Sequence, residues 1–282
     1  MSLFRIGANI QAMDSLRSLY GINKGIGVIQ ARLASGKRIN TAQDDTAGYA
    51  IAKTVQSRVN GLTSALSNVQ NASSILAIAE GGYQNQMDIL QTIKEKAVQA
   101  ADDALTTANR DAITAQVYQL MTEFDAIAAQ TKWKNATMFN AATTWTFHVG
   151  GDSTDFLTFQ LDASISTTTT GMNLMATNAS GSLGAMRTKT SSAAQIGIVD
   201  NAINKLANTI QKVGDTMVRL TKKENFLSVS VANTDAVRSQ YEDADFAQEQ
   251  MELLKLQILQ QTAVTSLAQA NSSPQVVLGL FR

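Results

Sequence analysis

Three groups of aspartates are the residues of this sequence whose spacing could support chemistry. They are Asp44 with Asp45, Asp102 with Asp103, and Asp243 with Asp245. Neighbouring carboxylates can act as general acid and base or bind a divalent cation. Each group, however, lies at a predicted helix end, where carboxylates accept backbone N–H bonds and favour the positive end of the helix dipole. We therefore predict helix capping, no catalytic residue and no enzyme activity.

Metal and cofactor sites lack the residues that they need. The chain has one histidine, His148, and no cysteine, so two-histidine and thiolate ligand sets are impossible. It contains no GxxxxGK[ST] loop, and its glycines fit no strand–glycine–helix dinucleotide fingerprint. We predict no metal and no cofactor, and we assign His148 to the outward side of a hairpin.

Charge and hydropathy argue against two classes of partner. The 282 residues carry 23 basic and 23 acidic side chains, so net charge gives no support for nucleic-acid binding. No window approaches about 18 consecutive apolar residues, and the first residues lack the apolar core and cleavage site of a signal peptide. We expect neither membrane insertion nor a conventional signal. Aromatic residues make up only 6% of the chain and Pro274 is its one proline, which favours long helices.

Apolar residues three and four positions apart predict helices of coiled-coil type along most of the chain. The N-terminal seam, with one phase slip, is Leu3, Ile6, Ile10, Met13, Leu19, Ile22, Ile26, Ile29 and Leu33. Its interior glycines each cost about 1 kcal/mol relative to alanine, so this helix needs a partner. A long helix from Asp44 to about Ala100 has the seam Val55, Val59, Leu62, Leu66, Val69, Ser73, Leu76, Glu80, Tyr83, Met87 and Leu90. At about 1.5 Å per residue it would be roughly 85 Å long, which predicts a rod.

The rest of the chain predicts three more helices and one β-hairpin. Asn109 with Asp111 opens a third helix with the seam Ile113, Val117, Leu120, Phe124 and Ile127. Period-two runs then predict the hairpin from Trp145, Phe147 and Val149 and from Leu157, Phe159 and Leu161. A Ser/Thr-rich exposed loop follows over residues 163–192, and Thr167, Thr168, Thr169 and Thr170 within it could accept O-linked sugars or stay unmodified.

The fourth helix should pair with the long one, and the last helix should have several neighbours. The fourth seam is Val199, Ile203, Leu206, Ile210, Val213, Met217, Leu220, Glu224, Leu227 and Val231. After Asp243 and Asp245, the last helix presents an apolar arc too wide for one seam. The arc is Leu253, Leu254, Leu256, Ile258, Leu259, Val264 and Leu267.

Charged residues near the first predicted bend have two readings. Lys37 and Arg38 could form inter-subunit ion pairs with Asp44 and Asp45 that set registry, although exposed pairs contribute only about 0–1 kcal/mol. Alternatively, the aspartates cap the helix and the bases are solvated. Asn40 or Thr41 could also cap this helix. Glu80 and Glu224 interrupt their seams and are either register-setting contacts or solvated edge residues.

Four stretches of this sequence resemble the bacterial flagellin family. The first runs from Arg32 through Gly36-Lys37-Arg38-Ile39-Asn40-Thr41-Ala42-Gln43-Asp44-Asp45 to Gly48. The second runs from Gly61 through Glu80-Gly81 to Ala101, and the third from Ile127 to Phe139. The fourth comprises Tyr241 to Ala247, Gln257 to Gln261, Leu267 to Asn271 and Pro274 to Leu278. Together the stretches fall at both ends of the chain, in the family's order.

The resemblance implies a mainly α protein whose long coiled-coil-like helices from both chain ends form a rod with one β-hairpin. The implied parts are an N-terminal inner-core helix (1–40), two parts of an outer rod domain (41–192 and 193–240) and a C-terminal inner-core helix (241–282). The helix seams would pack between subunits in the inner core, through Leu3, Ile6, Ile10, Leu19, Ile22, Ile26, Ile29, Leu33, Leu253, Leu256, Ile258 and Leu267. This would be a core-only member without large outer domains. Thr92 and Lys96 stand where many flagellins have the arginine and leucine that a host receptor reads, so we predict no receptor activation.

The function implied is that of a structural subunit polymerising into the extracellular flagellar filament for swimming. The resemblance also implies type III export, an export chaperone that holds the C-terminal segment, and hook-associated junction and cap proteins as partners. The alternative within the same class is a flagellin-like hook–filament junction protein. A signalling coiled coil shares only the heptads and the alanine content.

Overall fold

The computed structural model describes residues 9–134, 136–139, 144–160, 186 and 188–280, with the backbone alone at 136 and 273–280. These residues form five helices and four short strands. The helices are α1 (Ile10–Ser35), α2 (Thr46–Ala100), α3 (Thr107–Gln130), α4 (Lys189–Glu242) and α5 (Phe246–Leu280). The strands are β1 (Lys132–Trp133), β2 (Ala136–Thr137), β3 (Thr144–His148) and β4 (Phe156–Gln160). The mainly α fold with a β-hairpin is confirmed, and the short β1–β2 pair was not predicted.

Two helix starts differ from the sequence prediction. The prediction that Asn40 or Thr41 caps α2 is wrong, because the Asp45 carboxylate accepts the Gly48 N–H at 2.9 Å and the helix begins at Thr46. The prediction that Asn109 opens α3 is also wrong. The Thr106 hydroxyl accepts the Asn109 N–H at 3.4 Å, which places Asn109 inside the first turn. In both cases several adjacent side chains could cap, and the path of the preceding loop selects one.

A buried arginine joins the end of α2 to the start of α3. Arg110 donates from Nε to the Ala100 carbonyl at 2.9 Å and from Nη2 to the Asp102 carbonyl at 2.6 Å. The last carbonyls of a helix have no partner within it, so this side chain satisfies acceptors that would otherwise be buried without a bond. The reversal between the two helices therefore depends on a side chain that lies in α3.

The chain divides into two compact units, residues 60–231 and residues 1–59 with 232–282. In the first of these, α2, α3 and α4 surround one apolar core, and every seam residue predicted for them between residues 62 and 231 is buried or half-buried. Lys94 lies 2.6 Å from Asp200, and Gln70 lies 3.0 Å from Glu224. These contacts are 24 residues apart along both helices, in opposite directions, so α2 and α4 pair as predicted and run antiparallel. Glu224 does contact the partner helix, whereas Glu80 accepts from Gln84 of its own helix.

The predicted hairpin closes one side of this core. Strands β3 and β4 pair antiparallel, with Trp145 opposite Phe159 and Phe147 opposite Leu157. Leu157 and Phe159 are buried in the core, and the Asn68 side chain on α2 donates to the His148 carbonyl at 3.3 Å. His148 lies on the other face of the hairpin, where its ring meets Phe156 edge to face at 5.0 Å.

Two adjacent glycines of α2 have different surroundings. Phe139, which follows the β1–β2 pair, stacks on Tyr83 with ring centroids 4.2 Å apart. A Cβ atom at Gly82 would lie 2.8 Å from the Phe139 ring and 2.8 Å from the Thr131 hydroxyl. A Cβ atom at Gly81 would meet nothing within 4 Å. Gly82 is therefore required by packing, and Gly81 is not.

The unit built from both chain ends has few buried apolar residues. Among the residues of this unit whose side chains the structure describes, they are Ile29, Ile39, Ala52, Val59 and Ala270. Helices α1 and α5 pack together in this unit. The four-part division predicted from the sequence stays a prediction. No helix among the described residues is both long enough and apolar enough to cross a membrane.

We predict opposite effects for alanine at the two adjacent glycines. Gly81→Ala should raise the free energy of unfolding by up to about 1 kcal/mol, because alanine favours the helix and no atom obstructs it. Gly82→Ala should lower it by about 1–3 kcal/mol, because the added methyl overpacks the site. Urea denaturation of the two variants measures the difference, and shifts of equal sign would contradict this account of the Tyr83–Phe139 contact.

Candidate functional site

Two connecting segments meet between the helices of the terminal unit. α1 ends at Gly36, which has the left-handed φ of 71° that favours glycine. The Arg38 N–H then donates to the Glu242 carbonyl at 2.8 Å, and the Ala244 N–H donates to the Gly36 carbonyl at 3.0 Å. These bonds tie the segment after α1 to the segment after α4. Residues far apart in the sequence are thereby fixed side by side.

Three basic side chains of this site lie around the buried carboxylate of Glu242. Glu242 is 4% exposed, and its Oε1 accepts from Lys37 Nζ at 2.7 Å. Lys53 Nζ lies 4.0 Å away and Arg238 Nη1 3.7 Å away. Arg238 is itself held by Asp235 at 2.8 Å and by Gln56 at 3.0 Å. Several cations compensate for the cost of burying the carboxylate.

Sequence reasoning did not identify Glu242, although the sequence contains a signal. The residue lies in the last turn of α4, where the helix dipole disfavours an anion. Arg238 precedes it by one helical turn, which allows an i,i+4 pair. A carboxylate at the C-terminal end of a helix, with a basic residue one turn before it, indicates that further cations stabilise the carboxylate.

The four residues predicted to act at the bend do not pair with one another within the chain. Lys37 pairs with Glu242, and the Arg38 guanidinium donates to the Tyr241 carbonyl at 3.0 Å. Asp44 accepts from the backbone N–H groups of Asn40 and Thr41. An inter-subunit registry role for these four residues stays a prediction.

Hydrogen bonding keeps the Asp44 carboxylate ionised. The Thr41 N–H at 2.9 Å is the main cause that lowers the pKa of Asp44 below its ordinary value of 3.8, and the Asn40 N–H and the Thr41 hydroxyl act in the same direction. Asp44 therefore holds the turn that leads into α2, while Asp45 caps the helix. Asp245 does the same for α5, accepting from Ala247 at 2.9 Å and Gln248 at 3.2 Å. Asp45 and Asp245 therefore cap helices as predicted, whereas the prediction is wrong for Asp44. It is also wrong for Asp102, which accepts the Ala104 N–H outside a helix, and for Asp103, which pairs with Lys189.

The paired terminal helices run antiparallel and approach closely. Asn9 donates to the Ala270 carbonyl at 2.7 Å, Gln260 donates to Asn23 at 2.6 Å, and Arg32 lies 3.4 Å from Glu249. A Cβ atom on Gly25 would lie 3.1 Å from the Leu256 side chain, so this glycine permits the approach.

The predicted inner-core residues divide into three groups. Ile29 is buried, and the half-buried residues are Leu19, Ile22, Ile26, Leu33, Leu253, Leu256 and Leu267. Ile10 and Ile258 are 58% and 64% exposed. Leu3 and Ile6 lie outside the described residues, as do the predicted glycosylation positions Thr167, Thr168, Thr169 and Thr170.

Large apolar side chains cover the outer surface of both terminal helices, and we call them the terminal apolar band. The band comprises Ile10, Met13, Leu16, Tyr20, Val28, Phe246, Met251, Leu254, Ile258, Leu259 and Val264. Many exposed large apolar side chains on two paired helices favour an interaction site. Across the described part of the chain, no group of three or more histidines or carboxylates could hold a metal ion. The arrangement is thus suited to association.

Comparison with known proteins identifies both ends of the chain. Residues 6–144 match the bacterial flagellin N-terminal helical region, and residues 196–281 match the bacterial flagellin C-terminal helical region. The flagellar filament 33 kDa core protein of Treponema phagedenis is 30% identical over 98% of this chain and 99% of its own length. The flagellin of Bacillus subtilis is 30% identical over 99% of this chain and 100% of its own.

A solved structure shares the fold at low identity. A protein of Vibrio parahaemolyticus described as flagellar hook-associated has a TM-score of 0.59 and 10% identity, covering 71% of this chain and 100% of its own. At this identity the likeness concerns the fold alone.

We predict that Glu242→Gln loosens the joined segments. The amide keeps the size of the side chain but loses the charge-assisted bonds, so the terminal unit should lose about 1–2 kcal/mol of stability, a value discounted for the solvent exposure of the lysines. Faster hydrogen exchange at the amides of Arg38 and Ala244 would report the change. The control is Glu252→Gln, whose exposed pair with Lys255 should contribute less than about 0.5 kcal/mol. Equal exchange in both variants would refute the role of Glu242.

We predict a pH-dependent turn at Asp44. Since the folded pKa lies below the unfolded one, the carboxylate favours the ordered turn above pH 3.8, and this contribution is lost as the pH falls through the folded value. A carboxyl NMR titration should give an Asp44 midpoint below 3.8. In Asp44→Asn, the acid-induced loss of protection at the Thr41 amide should disappear. Persistence of that loss in the variant would assign it to another group.

Proposed function

This chain belongs to the bacterial flagellin family, and from that premise we infer that it is a structural subunit that polymerises into the helical filament of the bacterial flagellum. Two observations support this function. Both helical regions of the family are matched, and relatives named flagellin or filament core protein align over nearly their whole length. The second is the terminal apolar band. A filament is the assembly that covers such a band on every copy.

The two units differ in how much apolar surface they bury, and this difference supplies the driving force for polymerisation. The 60–231 unit already buries its helix seams in a large apolar core within the monomer. The terminal unit buries few apolar residues and exposes the band. Full burial of one large apolar side chain contributes about 1.5–3 kcal/mol, so covering several offsets the cost of bringing copies together. Contacts between different faces of identical copies generate a helical polymer when the rotation between copies does not close into a ring.

The same thin core supports a coupling between folding and assembly. Ordering costs about 1–2 kcal/mol per residue, and the five buried apolar residues of the terminal unit offset little of it. The predicted inner-core residues would therefore complete their burial between subunits. A chain whose ends order late can also pass through a narrow export channel before it assembles.

The remaining partners follow from the same function. Type III export would deliver the chain to the cell exterior, and a chaperone would cover the C-terminal apolar arc beforehand. Junction and cap proteins would contact the filament at its two ends. Flagellins are a structural protein family, and we assign no catalytic role to this member. The fold likeness to a hook-associated protein fits the junction alternative, but the names of the near full-length relatives favour the bulk filament subunit.

Seeded polymerisation tests the proposed function. Purified monomer added to short filament seeds should give long uniform filaments by electron microscopy. The far-UV circular dichroism signal should show more helix after assembly than before, because the terminal helices order fully only when covered. Fully helical monomers that never elongate seeds, under conditions that polymerise a known flagellin, would refute the assignment.

A substitution at Ile258 tests the terminal apolar band in the same assay. Ile258→Asp should raise the critical concentration by more than about tenfold, since it loses about 1.5–3 kcal/mol of burial at each contact. Because Ile258 is exposed in the monomer, the melting curve of the monomer should not change. The matched control Ile258→Leu keeps the apolar surface and should polymerise normally. Normal assembly of Ile258→Asp would exclude this part of the band from the interface.

A further inference from the structure

Two segments of the 60–231 unit differ in the sign of their net charge. Residues 135–186 contain three aspartates and no lysine or arginine. Residues 205–223 of α4 contain five basic residues and the single acid Asp215. The two segments therefore carry opposite net charges. Such complementary regions favour specific association between copies.

The basic region has an apolar stripe on its outer face, which we call the α4 stripe. Val218, Lys222, Phe226 and Val229 are four, four and three residues apart, so they share one side of the helix. Val218, Phe226 and Val229 are each 60% exposed, while Leu220 and Leu227 point into the core.

The cations beside the α4 stripe are available to a second molecule. Arg219, Lys222 and Lys223 make no ion pair with any described residue. Lys223 Nζ lies 5.4 Å from the centroid of the Phe226 ring, which keeps this charge next to the exposed aromatic surface. A partner for this stripe therefore needs an acidic group beside an apolar one.

The hairpin tip of the same unit has that chemistry. Asp152 and Asp155 are its only charged residues among positions 144–160, and Phe156 beside them is 54% exposed. Asp155 is used within the turn, where its carboxylate accepts the Asp152 N–H at 3.4 Å. The Asp152 side chain is exposed and bonds to no described residue. An exposed acid and an exposed aromatic ring therefore lie four residues apart in this hairpin.

We propose that the α4 stripe of one copy binds the hairpin tip of a neighbouring copy in the filament. The inference rests on the proposed function and names a contact that the 60–231 unit contributes in addition to the terminal apolar band. The stripe and the tip are different surfaces of one chain, so the contact is heterologous and can repeat from copy to copy along a filament. Phe156 packs against Val218, Phe226 and Val229, and Asp152 faces the cations of the stripe.

A charge exchange between the two surfaces tests this contact. Three variants are compared with the unaltered chain in elongation of seeds: Lys222→Glu, Asp152→Lys and the combination of both. Each single variant should elongate seeds at least about tenfold more slowly, because it places like charges opposite each other. The combined variant should recover most of the rate, because opposite charges face each other again. The single-variant penalty should also shrink as salt is raised.

The controls separate this contact from folding and from the filament assignment. All the altered side chains are exposed, so circular dichroism spectra and melting curves of the monomers should match. Lys132→Glu makes the same charge change at an exposed position outside both surfaces and should elongate normally. Losses that simply multiply in the combined variant, or single variants that elongate normally, would overturn the contact. Failure of the unaltered chain to elongate seeds would overturn both this contact and the proposed function.

Discussion

The whole structure depends on apolar side chains that recur alternately four and three residues apart. In a helix this spacing places them along one side, and water then forces that side against another like it. Leu62, Leu76 and Leu90 on α2 and Leu206, Leu220 and Leu227 on α4 meet this requirement inside one chain, with α3 and the hairpin closing the core. The terminal helices carry the same spacing but do not satisfy it alone.

This incomplete burial connects the fold to the function. A chain that buried all its apolar seams internally would be a stable monomer with no reason to polymerise. Here the terminal unit leaves residues such as Met13, Leu254 and Ile258 exposed. In the proposed filament, subunit association would supply the burial that the terminal helices lack in the monomer. The exposed seams at the ends and assembly through the ends would then follow from one distribution of apolar residues.

The buried Glu242 performs a different task from the apolar contacts. Apolar seams tolerate small shifts along the helix, because one leucine can replace another as a neighbour. The Glu242 carboxylate lies 2.7 Å from Lys37 Nζ, and this ion pair fixes where the segment after α1 meets the segment after α4. Charged groups contribute little net stability after desolvation, so specificity of position is the better physical account of this cluster.

The sequence by itself determined the helices, the pairing of α2 with α4 and the hairpin, because each follows from a period that local geometry imposes. Val69, Leu76 and Tyr83 could be assigned to one side of a helix without knowledge of any other element. The resemblance carried by the segment around Gly36–Gly48 and by the C-terminal block also fixed the family. The helix seams, the hairpin pattern and the family motifs are all carried by residues close together in the sequence, so they can be recognised without the tertiary structure.

Only the tertiary structure decided which of several suitable side chains acts. Asp45 and Thr106 cap helices for which Asn40, Thr41 and Asn109 are also suitable by residue type, because the path of the loop determines which oxygen reaches a free N–H. Arg110 and Glu242 bond to groups 8 and 205 residues away, and no local pattern specifies such partners. The arrangement of α1 and α5 likewise determines which of their apolar side chains are exposed. A seam predicts that a helix packs against another apolar surface. The packing of the chain determines how much of the seam is buried within the molecule.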